Sequence, residues 1–114
     1  MNRYDRDADR PNYHILPKTA VSRVLFEGRT AVGVEYVGTM NGTKRTIGVS
    51  KEVIVAAGSI HTPQILQLSG IGDAATLKPS GIKSVSDLPG VGQNLQDHLV
   101  LKVNYNCTQE HARV

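Results

Sequence analysis

This chain has few cysteines and aromatic residues and no long apolar stretch. It has one cysteine, one phenylalanine and no tryptophan in 114 residues, so Cys107 cannot form an intrachain disulfide, and we expect it to be inert. No stretch approaches the roughly 18 apolar residues that a membrane-spanning helix requires. Residues 1–12 contain no apolar segment typical of a signal peptide. The cellular location is therefore left open.

Basic residues are in slight excess but are scattered along the chain. Lys and Arg total 13 against 10 Asp and Glu, which gives a formal net charge of +3. No short basic tract occurs, and the few aromatic residues do not form a signature of nucleic-acid recognition. We therefore expect no nucleic-acid partner and interpret these cations as solvated surface charge.

The polar residues do not indicate a metal site or a catalytic set. The 4 histidines are far apart in the sequence, and no His or Cys pair has the spacing of metal ligands. Asp97 and His98 are adjacent, but neighbouring residues in an extended chain point to opposite sides. We therefore expect no metal, and no catalytic residue is predicted.

The first half of the chain predicts an antiparallel meander. Residues 19–26, 31–37 and 45–49 are rich in β-branched residues or alternate between apolar and polar, as strands do. Asn41–Gly42 predicts a two-residue hairpin turn, because a type I′ turn needs two residues with positive φ. Residues 13–16 predict a further short strand.

Residues 52–57 (EVIVAA) predict a strand of another kind, followed by a helix. They do not alternate, so both faces are expected to be covered, as in a parallel strand of an α/β sheet. After Gly58, a helix is expected to begin with Thr62 as N-cap and Pro63 at its first position, and to end at Gly70. Its buried face would consist of Ile65, Leu66 and Leu68.

The remaining sequence predicts short elements and a strand without a partner. Asp73 is expected to cap a short helix that ends at Leu77, and residues 82–85 to form a short strand. Residues 88–96 are turn-rich, and residues 99–105 alternate cleanly. Because no further strand follows, the pattern reads as an incomplete α/β (α+β) fold.

Two segments could contact a phosphate, and only one of them has the required context. Residues 70–75 (GIGDAA) fit the dinucleotide fingerprint G-x-G-x-x-A, but a helix rather than a strand is predicted before them, so we reject this reading. The strand–glycine–helix unit at residues 53–70 would present a helix N-terminus, which favours anions. A plain connection that binds nothing is the alternative for this unit.

Residues 58–72 resemble the second signature of the glucose-methanol-choline (GMC) oxidoreductases. That signature has a small residue, two variable positions, Ser/Thr-Pro, an apolar pair, and then Ser-Gly-apolar-Gly, and this chain reads GSIHTPQILQLSGIG. The resemblance extends, in order and spacing, over about residues 10–105. It includes RPN at 10–12, RVLFEG at 23–28, AVGVEY at 31–36 and LPGVGQNLQDH at 88–98.

The resemblance implies a glutathione-reductase-like FAD-binding domain and the oxidation of alcohols by hydride transfer to flavin. FAD is thus the expected cofactor, and a small-molecule alcohol the expected substrate. Val21 would contact the adenine end through its backbone, residues 57–59 would line the ribose or phosphates, and residues 94–98 would pass near the flavin. The expected cofactor-binding residues are Val21, Ala57, Gly58, Ser59, Asn94, Asp97 and His98.

Two parts of the family pattern do not occur in this chain: the G-x-G-x-x-G fingerprint and the catalytic His with its His or Asn partner. We therefore expect a fragment, with an irregular lead-in (1–11), a partial FAD-binding domain (12–105) and the start of a substrate domain or tail (106–114). In isolation it is expected to bind FAD weakly or not at all and to be inactive. A relative of the FAD-binding hydroxynitrile lyases and a non-catalytic remnant are the alternatives.

Overall fold

The computed structural model describes residues 10–39 and 42–104 and contains both helices and strands. Mixed content with an antiparallel sheet confirms the coarse α/β (α+β) prediction. Predictions for residues 1–9, Asn41 and residues 105–114, including Cys107, lie outside the described residues. The elements are β1 (Thr19–Glu27), β2 (Thr30–Gly38), β3 (Lys44–Gly48), α1 (Gly58–Leu68), β4 (Ile71–Gly72), α2 (Ala74–Leu77), a 3₁₀ turn (Lys78–Ser80) and β5 (Ser86–Asp87).

Strands β1, β2 and β3 form the predicted antiparallel meander. Their order in the sheet is β1-β2-β3, with Val24 opposite Val34, and Val34 opposite Ile47. β2 ends at Gly38 and β3 begins at Lys44, and the hairpin turn predicted at Asn41–Gly42 lies partly outside the described residues and stays a prediction. Gly42 has a φ of +65°, and its N–H donates to the Gly38 carbonyl at 2.9 Å.

A buried serine joins the sheet to the end of helix α1. The backbone N–H of Val24 donates to Ser69 Oγ at 2.8 Å, and the Ser69 hydroxyl donates to the Ile65 carbonyl at 2.6 Å. The edge of β1 that faces away from β2 thereby gains a partner for a buried N–H, which would be costly to leave unpaired. Val24 and Leu77 are the buried hydrophobic residues within residues 10–39 and 42–104.

Helix α1 begins at Gly58, so the predicted start at Thr62 is wrong. Thr62 does not cap the turn that follows it; its Oγ1 instead accepts the N–H of Ala57 at 3.0 Å, and Pro63 lies inside the helix. The predicted end is confirmed by Gly70, whose φ of +87° is the left-handed conformation common after a helix. Of the predicted buried face, Ile65 and Leu66 are half-buried and Leu68 is exposed.

Residues 52–57 do not form the predicted covered parallel strand. They are paired with no strand of the described chain, and the Ile54 side chain is 79% exposed. Val53, Val55 and Ala57 are half-buried, whereas Ile54 and Ala56 face outward. A parallel strand needs a hydrogen-bonded neighbour, and the described residues supply none, so only one side of this segment is covered.

Of the two elements predicted after α1, the short helix is confirmed and the strand is not. Asp73 caps α2, accepting the Ala75 N–H at 3.1 Å, and α2 ends at Leu77 as predicted. The strand predicted at residues 82–85 is wrong, because the parallel pairing lies between β4 and β5, at Ser86–Asp87. The carbonyl of Gly70 accepts the N–H groups at residues 85 and 86 and directs the chain into this later pairing.

Two further strand predictions are wrong for the same reason as residues 52–57. Residues 13–16 and the described part of the predicted strand at 99–105 form no strand. Leu99 is 100% exposed and Leu101 84%. Alternating apolar residues form a strand only when a neighbour accepts their hydrogen bonds, and the described residues place none beside either segment.

Candidate functional site

An apolar groove lies between the meander and one side of helix α1. We call it the valine groove; its volume is about 270 Å³. It exists because residues 53–57 cross beside β1 without joining the sheet, which leaves a space between side chains of the two segments. Its lining consists of Val21, Val24, Val34, residues 53–57 and Ile65.

A second groove lies against another part of α1, under the turn-rich segment. We call it the loop groove; its volume is about 340 Å³. The two grooves lie on different sides of α1, because Ile65 lines the valine groove and the next residue, Leu66, lines the loop groove. The loop groove is more polar, and its lining consists of Ser59, Thr62, Pro63, Leu66 and residues 91–96.

The predicted site residues are distributed around the N-terminal half of α1. Val21 and Ala57 both line the valine groove. Ser59 and Asn94, which are far apart in the sequence, both line the loop groove. Gly58 is the first residue of α1 and so lies between these two groups in the chain.

Asp97 and His98 line neither groove. Both residues are exposed, and Asp97 Oδ1 accepts the backbone N–H of His98 at 2.7 Å. This bond is local and ties the two residues to each other. The structure therefore does not bring them together with Ser59 or Val21.

The N-terminus of α1 is open to an anionic group. Ala57 provides no side-chain cap, and the first turn has no acidic residue, so unpaired N–H groups and the positive end of the helix dipole are available. Gly58 has a φ of +82°, and no atom lies within 4 Å of where its Cβ would be. Together with the apolar valine groove, these features fit the adenosine and phosphate part of a dinucleotide.

Neither groove contains an ionisable side chain. Glu35, which pairs with Arg23 at 3.3 Å and Lys44 at 3.8 Å, lies on the meander and lines neither groove. Hydrogen bonds from the Thr76 hydroxyl and the Ala75 N–H lower the pKa of Asp73, which also lies outside both grooves. The described part of the site can bind and orient a ligand, but it offers no group for proton transfer.

Sequence reasoning missed Gln67, which connects α1 to the loop groove. Its Nε2 donates to the Val91 carbonyl at 3.4 Å. One signal was present in the sequence: Gln67 follows Pro63 at i+4, so the two share a helix face. What that face would meet could not be read from the sequence.

The described residues contain neither a metal cluster nor a membrane-spanning helix. Within residues 10–39 and 42–104, no group of three or more His, Cys, Asp or Glu could hold a metal ion. Neither helix in this part of the chain has the length and apolar character needed to cross a membrane.

Residues 2–100 match the family model described as GMC oxidoreductase. Human mitochondrial choline dehydrogenase is 55% identical over 100 residues, which are 88% of this chain and 16% of that protein. Dehydrogenase xptC of Emericella nidulans is 52% identical over 104 residues, 91% of this chain and 17% of that protein. The chain thus spans about one sixth of the length of these curated relatives.

Solved structures match this chain in backbone as well as in sequence. An FAD-dependent oxidoreductase from Chaetomium thermophilum has a TM-score of 0.74 and 53% identity, covering 78% of this chain and 15% of its own. A fungal aryl-alcohol oxidase has a TM-score of 0.73 and 40% identity, covering 77% and 15%. A formate oxidase has a TM-score of 0.75 and 38% identity, covering 80% and 16%.

Proposed function

The chain belongs to the GMC oxidoreductase family, and we propose that it forms part of the FAD-binding domain of an oxidoreductase acting on CH–OH groups. The observation that carries this proposal is the family match over residues 2–100, which includes helix α1 and both grooves. FAD is the cofactor that this family membership indicates. The substrate class is a small alcohol, in keeping with relatives named choline dehydrogenase and aryl-alcohol oxidase.

The contribution of this chain is to bind and orient the cofactor. FAD, when bound, supplies the hydride acceptor for oxidation of the alcohol. The grooves of this chain contain no ionisable side chain, so neither groove supplies the group that takes the hydroxyl proton. Helix α1 and its two grooves serve to hold the dinucleotide in place.

The adenosine end is assigned to the valine groove. Val21 and Ala57 line it, and its apolar walls suit a planar base, because burying an aromatic ring away from water is favourable. The phosphates are assigned to the N-terminus of α1, near Gly58 and Ser59, where unpaired N–H groups attract anions. Asn94 in the loop groove would contact the cofactor further along its length.

Asp97 and His98 are assigned a contact on the flavin side of the cofactor. Both residues lie beyond the loop groove, so they would approach the flavin side from outside it. The role given to them is therefore a separate proposal. Substituting either one tests it without disturbing the groove walls.

Exposed apolar surface marks where the rest of a glutathione-reductase-like domain would pack. Ile54 and Leu99 are 79% and 100% exposed, and burial of each such side chain is worth about 1.5–3 kcal/mol. Residues 52–57 have the composition of a parallel strand but pair with no strand of the described residues. We propose that further strands of the same domain pair with them, and that residues 12–105 are this chain's part of that domain.

A chimera tests the proposed function directly. The segment of human choline dehydrogenase that matches this chain is replaced by the corresponding residues of the chain. The chimera is expected to purify with stoichiometric FAD. Choline is expected to bleach this flavin in the absence of oxygen. A chimera that folds but contains no flavin would contradict the proposal.

Two glycine substitutions in the chimera locate the cofactor. Gly58 and Gly81 both have positive φ (+82° and +69°), and a Cβ added at either would have no atom within 4 Å, so Gly58→Ala and Gly81→Ala impose similar backbone strain. Gly81 lies outside both grooves. Gly58→Ala is expected to weaken FAD binding about tenfold, or about 1.4 kcal/mol, and Gly81→Ala to leave it unchanged. Equal effects would contradict the assignment of the α1 N-terminus.

Redox behaviour distinguishes an alcohol oxidoreductase from the hydroxynitrile lyase alternative. In the intact protein that carries this chain, anaerobic addition of alcohols is expected to bleach the flavin. A yellow protein that no alcohol bleaches, and that cleaves a cyanohydrin, would support the lyase alternative. A protein that contains no flavin would support the non-catalytic remnant.

A further inference from the structure

We propose that Gln67 is a positioning residue for the cofactor site. It holds residues 91–96 against helix α1 and so keeps Ser59 and Asn94 in one groove. The inference deepens the proposed function, on which the cofactor role of the loop groove rests. The holding contact itself does not depend on flavin, so it can be tested separately.

The first observation is a contact between distant parts of the chain. Gln67 is half-buried, and its Nε2 donates to the Val91 carbonyl at 3.4 Å. Its neighbour on the same helix face, Pro63, lines the loop groove. This side of α1 is therefore the surface on which the loop rests.

The second observation is that the Gln67 side chain passes between two glycines. A Cβ at Gly72 would lie 3.2 Å from Gln67 Cγ, and a Cβ at Gly92 would lie 3.2 Å from Gln67 Nε2. The absence of a side chain at both glycines therefore leaves room for the stem of Gln67 beside the strand after the helix and for its amide beside the loop. This room allows the amide to lie where it donates to Val91.

The third observation is that Gly92 is adapted to this approach. Its φ is +81°, and a Cβ there would also lie 3.6 Å from Pro63 Cβ. A residue with a side chain would be strained at this φ, and its Cβ would crowd the Gln67 amide while making ordinary contact with Pro63. The loop backbone can therefore reach α1 at Gly92 because no side chain intervenes.

The loop is ordered enough for one contact to orient the whole of it. The N–H of Val91 donates to the Leu88 carbonyl at 3.1 Å, and that of Gln93 to the Gly90 carbonyl at 3.2 Å. Asn94 follows with a φ of +54°, and its Oδ1 accepts a hydrogen bond from Gln96 at 3.2 Å. Anchoring Val91 consequently places Asn94 as well.

Amide hydrogen exchange of the chain tests the anchoring role. Gln67→Met keeps the length and apolar stem but removes the donor. Protection of the Val91 and Gln93 amides is expected to fall about fivefold, the equivalent of about 1 kcal/mol for one hydrogen bond, with the Val24 amide unchanged. The matched control is Gln64→Met, on the exposed side of α1, which should change none of these. Unchanged protection in Gln67→Met would overturn the proposal.

A second variant separates hydrogen bonding from packing. Gln67→Glu has no donor at neutral pH, but it regains one when protonated below the usual glutamate pKa of about 4.3. Loop protection relative to the unsubstituted chain at the same pH should be low at pH 7 and return near pH 4, whereas Gln67→Met should show no return. A purely structural role would not produce this pH dependence, and its absence would overturn the proposal even if Gln67→Met failed to fold.

Ligand affinity separates failure of this inference from failure of the proposed function. In the chimera, Gln67→Met is expected to weaken FAD binding about fivefold and leave ADP binding unchanged, since the valine groove and the α1 N-terminus do not depend on the loop. If the unsubstituted chimera binds neither ligand, the proposed function fails while the exchange data still decide the anchoring role. If Gln67→Met lowers the protection of the loop amides but leaves FAD affinity unaltered, the positioning role is overturned.

Discussion

Strand β1 and residues 52–57 both contain two valines and at least one alanine, but within the described residues only β1 becomes part of a sheet. β1 pairs with β2, and its outer edge bonds to Ser69 at the Val24 N–H. Residues 52–57 have no strand partner in the described chain and expose Ile54. The difference shows that available hydrogen-bond partners, more than β propensity, decide which of two similar segments forms a strand.

The largest effect is expected from disturbing the pairing within the meander. Gly33 and Gly48 are opposite each other in β2 and β3, but a Cβ at Gly33 would lie 2.7 Å from the Ile47 carbonyl oxygen, whereas one at Gly48 would have its nearest contact at 3.9 Å. Gly33→Ala is expected to lower the free energy of unfolding by about 3 kcal/mol, and Gly48→Ala by less than about 0.5 kcal/mol. Urea unfolding followed by circular dichroism measures both, and equal losses would show that the pairing is not this close.

A smaller effect on stability is expected from shortening one side chain in each of the two segments, β1 and residues 52–57. Val24 is 5% exposed and Ile54 79%. Val24→Ala is expected to cost about 2 kcal/mol of unfolding free energy, because two methyl groups are lost from a packed site, and Ile54→Ala less than about 0.5 kcal/mol. The same measurement in the chimera should raise the cost at Ile54, since a covering strand would then be present. An Ile54 cost that stays low there would argue against the proposed packing of this segment.

The smallest effect concerns α2, which is held by local hydrogen bonds. The pKa of Asp73 is lowered from 3.8 by bonds from Thr76 and Ala75, so its ionised form stabilises the fold at pH values above 3.8, and this stabilisation is lost as the pH falls through the lowered pKa. Asp73→Asn keeps an N-cap but does not titrate. Stability of the unsubstituted chain should therefore decline below about pH 4 relative to Asp73→Asn. Parallel pH profiles in this range would contradict the prediction.

The elements that depend on local chemistry could be predicted from the sequence. The meander strands, the Asp73 cap and the end of α1 at Gly70 all follow from alternation, capping oxygen atoms and left-handed glycine. The start of α1 could not, because Thr62 Oγ1 turns back to Ala57. Residues 82–85 were misassigned because the backbone of Gly70 directs the pairing to the residues that follow.

The sequence supplied a proposed set of site residues but no information on how they are arranged. The family resemblance named Ser59 and Asn94 together with Val21 and Ala57, and no local pattern indicated which of them would share a groove. Helix α1 separates the valine groove from the loop groove. Gln67 was absent from the prediction because its role depends on a contact 24 residues away in the chain.

The sequence by itself determined the family and the meander, since these depend on motifs and on interactions within a few residues. Only the tertiary structure decided that residues 52–57 pair with no strand of the described chain, that Ser69 bonds to β1 and that Gln67 meets Val91. Each of these is a matter of contact between segments far apart in the chain. Such contacts form where folding brings the segments within hydrogen-bond distance, and local sequence carries no information about that distance.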